Sequence, residues 1–161
     1  MPGELDRILA HLSAERAHVR AACDGLSEAD LTRSVVPSGW SMASMVTHLT
    51  FDDEIFWGCA ILGGDEGAIG LLQDGWSVPV GTGAAALERY EEWCARTDSH
   101  LRRADLDAAP RWWPGPEIFP LPAFPQAALA GWRLVMETAT HAGHLDVARE
   151  LIDGRQHLVV G

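Results

Sequence analysis

The chain has 161 residues, 47% of them hydrophobic, and a formal charge of −11. That length and apolar content predict one domain, residues 1–161, with a single sizeable core. The acidic balance and the lack of any basic run argue against a nucleic-acid or anionic-membrane surface, since both are contacted through basic patches. All 12 basic residues are Arg, which excludes a Schiff-base lysine and a lysine general base. Cys23, Cys59 and Cys94 are far apart, so neither a disulfide framework nor a Cys-x-x-Cys metal site is expected. The first residues carry no basic stretch followed by an apolar one, and no apolar run approaches the ~18 residues of a membrane span. The expected location is therefore cytoplasmic.

The first predicted helix runs from Pro2 to Asp24, where Leu5, Ile8, Leu9, Leu12 and Val19 recur near a 3.6 period. Pro2 suits a first turn and Gly25 a stop. His11 and His18 share one face, and Glu15, Arg16 and Arg20 beside them mark that side as solvent-facing. After a connection broken by Pro37-Ser-Gly39, Ser41 is a good N-cap for the second helix, Ser41 to Leu62, which Gly63-Gly64 ends. Its seam reads Met45, His48, Asp52, Ile55, Cys59 and Leu62, apolar except for one polar pair near the middle.

Residues 65–81 form a glycine-rich loop long enough to cross over a bundle, with one helical turn around Ile69 to Gln73. The third helix, Thr82 to Ala104, places Leu87, Tyr90, Cys94, Thr97 and Leu101 on one seam, with Asp98 and His100 pointing elsewhere. The prolines between Pro110 and Pro125 forbid regular helix or central strand, yet Trp112, Trp113, Phe119 and Phe124 are too apolar for free solvent. That stretch is expected to pack on the bundle, either as the rim of a functional cavity or as a cover over a helix end. The fourth helix runs from Pro125 to Asp153, with Gly154 after it. The tail, Arg155 to Gly161, reads as a strand-like extension in which His157 has no ligand role.

The fourth helix carries the stretch Glu137-Thr-Ala-Thr-His141-Ala-Gly-His144. At about 100° per residue, Glu137, His141 and His144 fall within roughly 60° of one another. The face is otherwise apolar, with Ala130 and Leu134 before the trio and Ala148 and Leu151 after it. A carboxylate and two imidazoles are expensive to bury in such a seam unless they are paired or coordinate a metal. If the second and fourth helices are neighbours, His48 completes a site with Glu137, His141 and His144. Such N/O donors suit Zn²⁺, Ni²⁺, Fe²⁺ or Mn²⁺, and three protein ligands leave a position at which a water or a thiol can be ionised.

The second-helix motif Pro37-Ser-Gly-Trp-Ser-Met-Ala-Ser-Met-Val-Thr-His48-Leu, followed by the Glu137 to Gly154 motif, closely resembles the DinB superfamily. In particular it resembles the actinobacterial branch related to mycothiol-dependent maleylpyruvate isomerase, over nearly the whole chain. The resemblance implies an all-α four-helix bundle with a long crossover between helices 2 and 3. It also implies a divalent metal, Zn²⁺ first among the candidates, held by a second-helix His, here His48, and by two residues one turn apart on the fourth helix, here Glu137 and His141. Many relatives have His at both fourth-helix places. His144 therefore stands as a fourth ligand, a base beside the metal, or a replacement for Glu137, and Asp52 as a carboxylate that orients an imidazole. The implied function is a metal-dependent S-transferase or isomerase that uses a low-molecular-weight thiol such as mycothiol. Its partners are then that thiol and an electrophile the sequence leaves open. The alternative is a bundle that binds metal or a small ligand without turnover, as a stress-related accessory protein. A homodimer is expected, because a bundle of this size with seven Trp leaves apolar helix faces to cover.

Overall fold

The computed structural model describes residues 1–157. In chain order it contains α1 (Glu4–Cys23), α2 (Glu28–Thr32), α3 (Met42–His48), a π-helical segment (Leu49–Leu62) that continues α3 without a break, α4 (Glu66–Ile69), a 3₁₀ turn (Gly75–Ser77), α5 (Gly83–Leu101) and α6 (Ala127–Asp153). No strand occurs among the described residues. The expected all-α bundle is therefore present. Its long members are α1, α3 with the π segment, α5 and α6; α1 lies chiefly against α6, and the π segment lies between α5 and α6.

Local chemistry sets the ends. Ser41 Oγ accepts from the Ser44 amide at 3.2 Å while Ser44 Oγ accepts from the Ser41 amide at 2.7 Å, so two donors that α3 would leave free are satisfied reciprocally. Thr82 Oγ1 does the same for the first turn of α5, accepting from Ala85 at 3.1 Å. Gly154, with φ at 78°, turns the chain out of α6 in the left-handed conformation that glycine adopts without strain. Of the strand-like tail expected over Arg155 to Gly161, residues 158–161 lie outside the described residues, and 155–157 form no strand.

The second long helix is the centre of the bundle and is buried on nearly every side, which explains why it is apolar around its whole circumference. Ile55, Cys59 and Leu62 are in the core as the seam required. No residue pattern marks the π geometry, in which the backbone ring widens to an i→i+5 bond from Leu49 onward. Asp53 and Glu54, at 2% and 0% exposure, are inside as well. Gly58 allows α5 to approach this segment closely, since a Cβ there would stand 2.2 Å from Thr97 Oγ1.

A buried Glu54 needs a cation, and Arg16 supplies it. This corrects the solvent-facing assignment of Arg16, which is 4% exposed. Its Nε and Nη2 donate to the two Glu54 oxygens at 2.7 and 2.6 Å, and its Nη1 donates to Asp98 at 2.6 Å. On α6 the core stripe runs through Leu134, Thr138, Ala142 and Leu145, one step around from the expected face. Leu151 is consequently 58% exposed, and Glu137 and His141 border the core instead of interrupting it.

The connection between the π segment and α5 carries α4 and the 3₁₀ turn, so the helical turn falls at Glu66–Ile69 and not at Ile69 to Gln73. The proline-rich stretch has no regular element, and Trp113, Phe119 and Phe124 gather around Trp57. The stretch packs on the bundle as expected: Phe124 stacks on Trp57 over the core, while Ile118 and Phe119 line a cavity. No helix among the described residues is long and apolar enough to cross a membrane.

Candidate functional site

His48 is the last residue of α3, at the junction with the π segment, where the ring reaches α6. Its Nδ1 lies 2.5 Å from Asp52 Oδ2, one turn ahead. An ionised carboxylate only accepts, so the proton of a neutral His48 sits on Nδ1 and Nε2 presents its lone pair. Asp52 is itself fixed, because its Oδ2 accepts from the Gly75 amide at 3.1 Å. The crossover connection thereby closes over the site, and Trp76 stacks on the His48 ring at 4.2 Å with 16° between planes. Only glycine permits this approach: a Cβ on residue 75 would stand 2.6 Å from Asp52 Oδ2 and 2.9 Å from the His48 Cα.

Nε2 of His48 points at Nε2 of His141 across 3.1 Å. Glu137, one turn earlier on α6, places Oε2 3.6 Å from that same His141 nitrogen. Its other oxygen pairs with Arg133. Burial first, and then the neighbouring His48 and His144, push the His141 imidazolium down to about 4, so at neutral pH the ring is in the uncharged form that can ligate. His144 is exposed and meets the opposite edge of His141, Nδ1 to Nδ1 at 3.3 Å. The structure thus brings His48 and Glu137 each to the Nε2 edge of His141 and leaves His144 on the other edge of that ring.

A cavity of about 510 Å³ opens beside these groups, within the range of roughly 300–1,000 Å³ usual for small-molecule sites. One wall is polar, made by His48, Asp52, Asp53, Arg133 and Glu137; the other is aromatic, made by Phe51, Phe56, Trp57 and Phe119. Among the described residues, Asp53 Oδ2 has no hydrogen-bond partner. Burial, followed by the nearby Glu54, Glu137 and Asp52, holds its carboxyl well above the usual range. The chain's own thiols are poor nucleophiles here: burial pushes Cys23 and Cys59 up to about 12, and Cys94 higher still.

Asp53, Arg133, Gly75 and Trp76 escaped the sequence reading. The signal for Asp53 was present, since three consecutive acids, Asp52-Asp53-Glu54, interrupt an otherwise apolar run. Arg133 was legible as the residue one turn before Glu137, at the i,i+4 spacing of an ion pair. Nothing local marks Gly75 or Trp76, whose roles depend on how the crossover folds back.

No curated protein and no solved structure matches the chain. The family model described as MST, mycothiol-S-transferase, matches residues 7–154. With that match spanning both motifs and every residue of the site, the chain belongs to the mycothiol S-transferase family, within the DinB-like group.

Proposed function

We propose that the chain, acting as one domain over residues 1–161, is a metal-dependent S-transferase for mycothiol or a thiol of that type, in the branch related to mycothiol-dependent maleylpyruvate isomerase. Beyond family membership, the observation that carries this reading is the pair of facing Nε2 atoms of His48 and His141, 3.1 Å apart beside the cavity. That separation suits two nitrogens sharing one divalent ion at ~2.0–2.1 Å each. Glu137 is the third ligand, because its free oxygen lies on the Nε2 side of His141 whereas His144 meets the other ring nitrogen. This donor set fits Zn²⁺ and its borderline neighbours. Bound there, the ion would lower the pKa of a thiol sulfur at the remaining position.

The chain's residues do the rest of the work. Asp52 holds His48 in its ligating tautomer, and Arg133 turns Glu137 toward His141. The aromatic wall excludes water from the thiol and from an apolar electrophile. With a net charge of −11, small molecules are its partners and nucleic acid and membrane surfaces are not. Assembly as a homodimer is part of the same proposal. Leu129, Met136, Val147 and Leu151 are exposed on α6 and fall within about 60° of one another around the helix.

The test is metal analysis of protein purified without chelator, followed by mycothiol depletion with a panel of electrophiles. Wild type should contain metal and consume thiol. His48→Ala should lose one equivalent of metal and the thiol activity together, with helical circular dichroism unchanged. Full metal occupancy in His48→Ala would remove the ion from this position. Metal without thiol depletion would favour the non-catalytic binder.

A further inference from the structure

On the faces of α1 and α6 that meet the chain's end, His18, Asp146 and His157 each bring one donor atom within 4.8 Å of the others. His18 Nε2 lies 2.7 Å from Asp146 Oδ2, and the imidazoles of His18 and His157 are stacked, 3.8 Å between centroids and 18° between planes. Glu15 Oε2 stands 3.9 Å from the other nitrogen of His18. None of these residues lines the large cavity.

Burial does not explain this convergence. His18 and Asp146 keep 20% and 25% of their side-chain surface exposed, so water could serve each group separately at little cost. Two imidazoles and a carboxylate from three separate segments are, however, the donor set of a borderline divalent ion. A small cavity of about 20 Å³ adjoins Asp146 and His157, which is room for a single water or ion. Two arginines also border it, and the Arg149 charge is already met by Asp153 and by the Ala22 and Asp24 carbonyls. Arg155 is the remaining cation, and it lies in the same short segment after Gly154 as His157.

We infer that His18, Asp146 and His157 form a second divalent-metal site, separate from the cavity, that takes Zn²⁺, Ni²⁺ or Cu²⁺ and fastens the segment after α6 to α1. Water fills the positions the protein leaves open. The site ties together the two helices that make the bundle's most extensive pairing, at the point where the chain has left α6.

The experiment is calorimetric titration of Zn²⁺ into chelator-treated His48→Ala/His141→Ala protein, in which the cavity donors are gone. One ion per chain should bind, and adding either His157→Ala or His18→Ala should weaken it at least ~10-fold. Tryptic cleavage after Arg155 should slow with Zn²⁺ and recover with EDTA. Zinc affinity that survives both His157→Ala and His18→Ala, or binding seen only at millimolar zinc, overturns the site. Should the double variant fail to fold, wild type and His157→Ala are compared directly: one ion fewer in His157→Ala supports the site, and equal counts overturn it.

Discussion

Asp52 Oδ2 lies 2.5 Å from Nδ1 of His48 and also accepts the Gly75 amide at 3.1 Å, so one carboxylate ties the α/π junction to the crossover connection. Asp52→Asn keeps the shape and one acceptor oxygen, but loses the charge that fixes the His48 tautomer. Metal affinity, read by competition with a chromophoric chelator, and kcat/KM for thiol transfer should each fall by roughly 10–100-fold with the helical signal intact. Wild-type values for both would reduce Asp52 to an anchor for the connection.

Glu137 and His144 stand at different edges of the His141 ring, and their substitutions should separate accordingly. Glu137→Gln should lower metal affinity at least ~10-fold, and His144→Ala by less than that. The reverse order, measured by metal content after dialysis against a weak chelator, would make His144 the third ligand.

The contrast between what the sequence revealed and what it hid has a physical pattern. The long helices were legible because their caps are local: Ser41, Thr82 and Gly154 act on residues a few positions away. The meeting of His48 with the fourth helix was expected from polar residues at seam spacing and from the family resemblance, although Glu137 and His141 border the core instead of breaking it. Arg16 was misread because its exposed neighbours were visible in the sequence and its partner was not; Glu54 lies 38 positions away. The π segment was invisible because a helix buried on all sides has no amphipathic stripe to betray a change of period. Gly75 and Trp76 reach His48 through the fold of a long connection, which no spacing rule describes.

The Arg16 and Glu54 pair makes a sharp stability test. Arg16→Met leaves the Glu54 carboxylate buried without its bidentate partner, with only the Cys94 thiol at 3.4 Å still donating to it. Urea unfolding should show a loss of about 3–5 kcal/mol. The double change Arg16→Met with Glu54→Leu removes both charges and should recover most of that loss, since two apolar side chains suit the site as well as a desolvated ion pair does. Equal instability of the single and double variants would place the cost in packing and not in the orphaned charge.

Asp65 is the N-cap of α4: its Oδ1 accepts from the Ala68 amide at 3.1 Å and its Oδ2 meets His100 Nε2 at 3.2 Å. The Ala68 amide first, and then His100, hold the carboxyl below its ordinary value of 3.8. A depressed folded-state value means that the unfolded chain binds more protons as the solution is acidified. The stabilisation is therefore present in full above the unfolded-state value and is lost as pH falls through the folded-state one. Asp65→Ala should cost about 1 kcal/mol near neutral pH, the usual worth of a helix cap. In urea unfolding repeated from neutral pH down to about pH 3, the gap between Asp65→Ala and wild type should stay constant until the carboxylate range and then narrow. A gap of the same size at both ends would mean that the side chain contributes through packing alone and that its charge does nothing for α4.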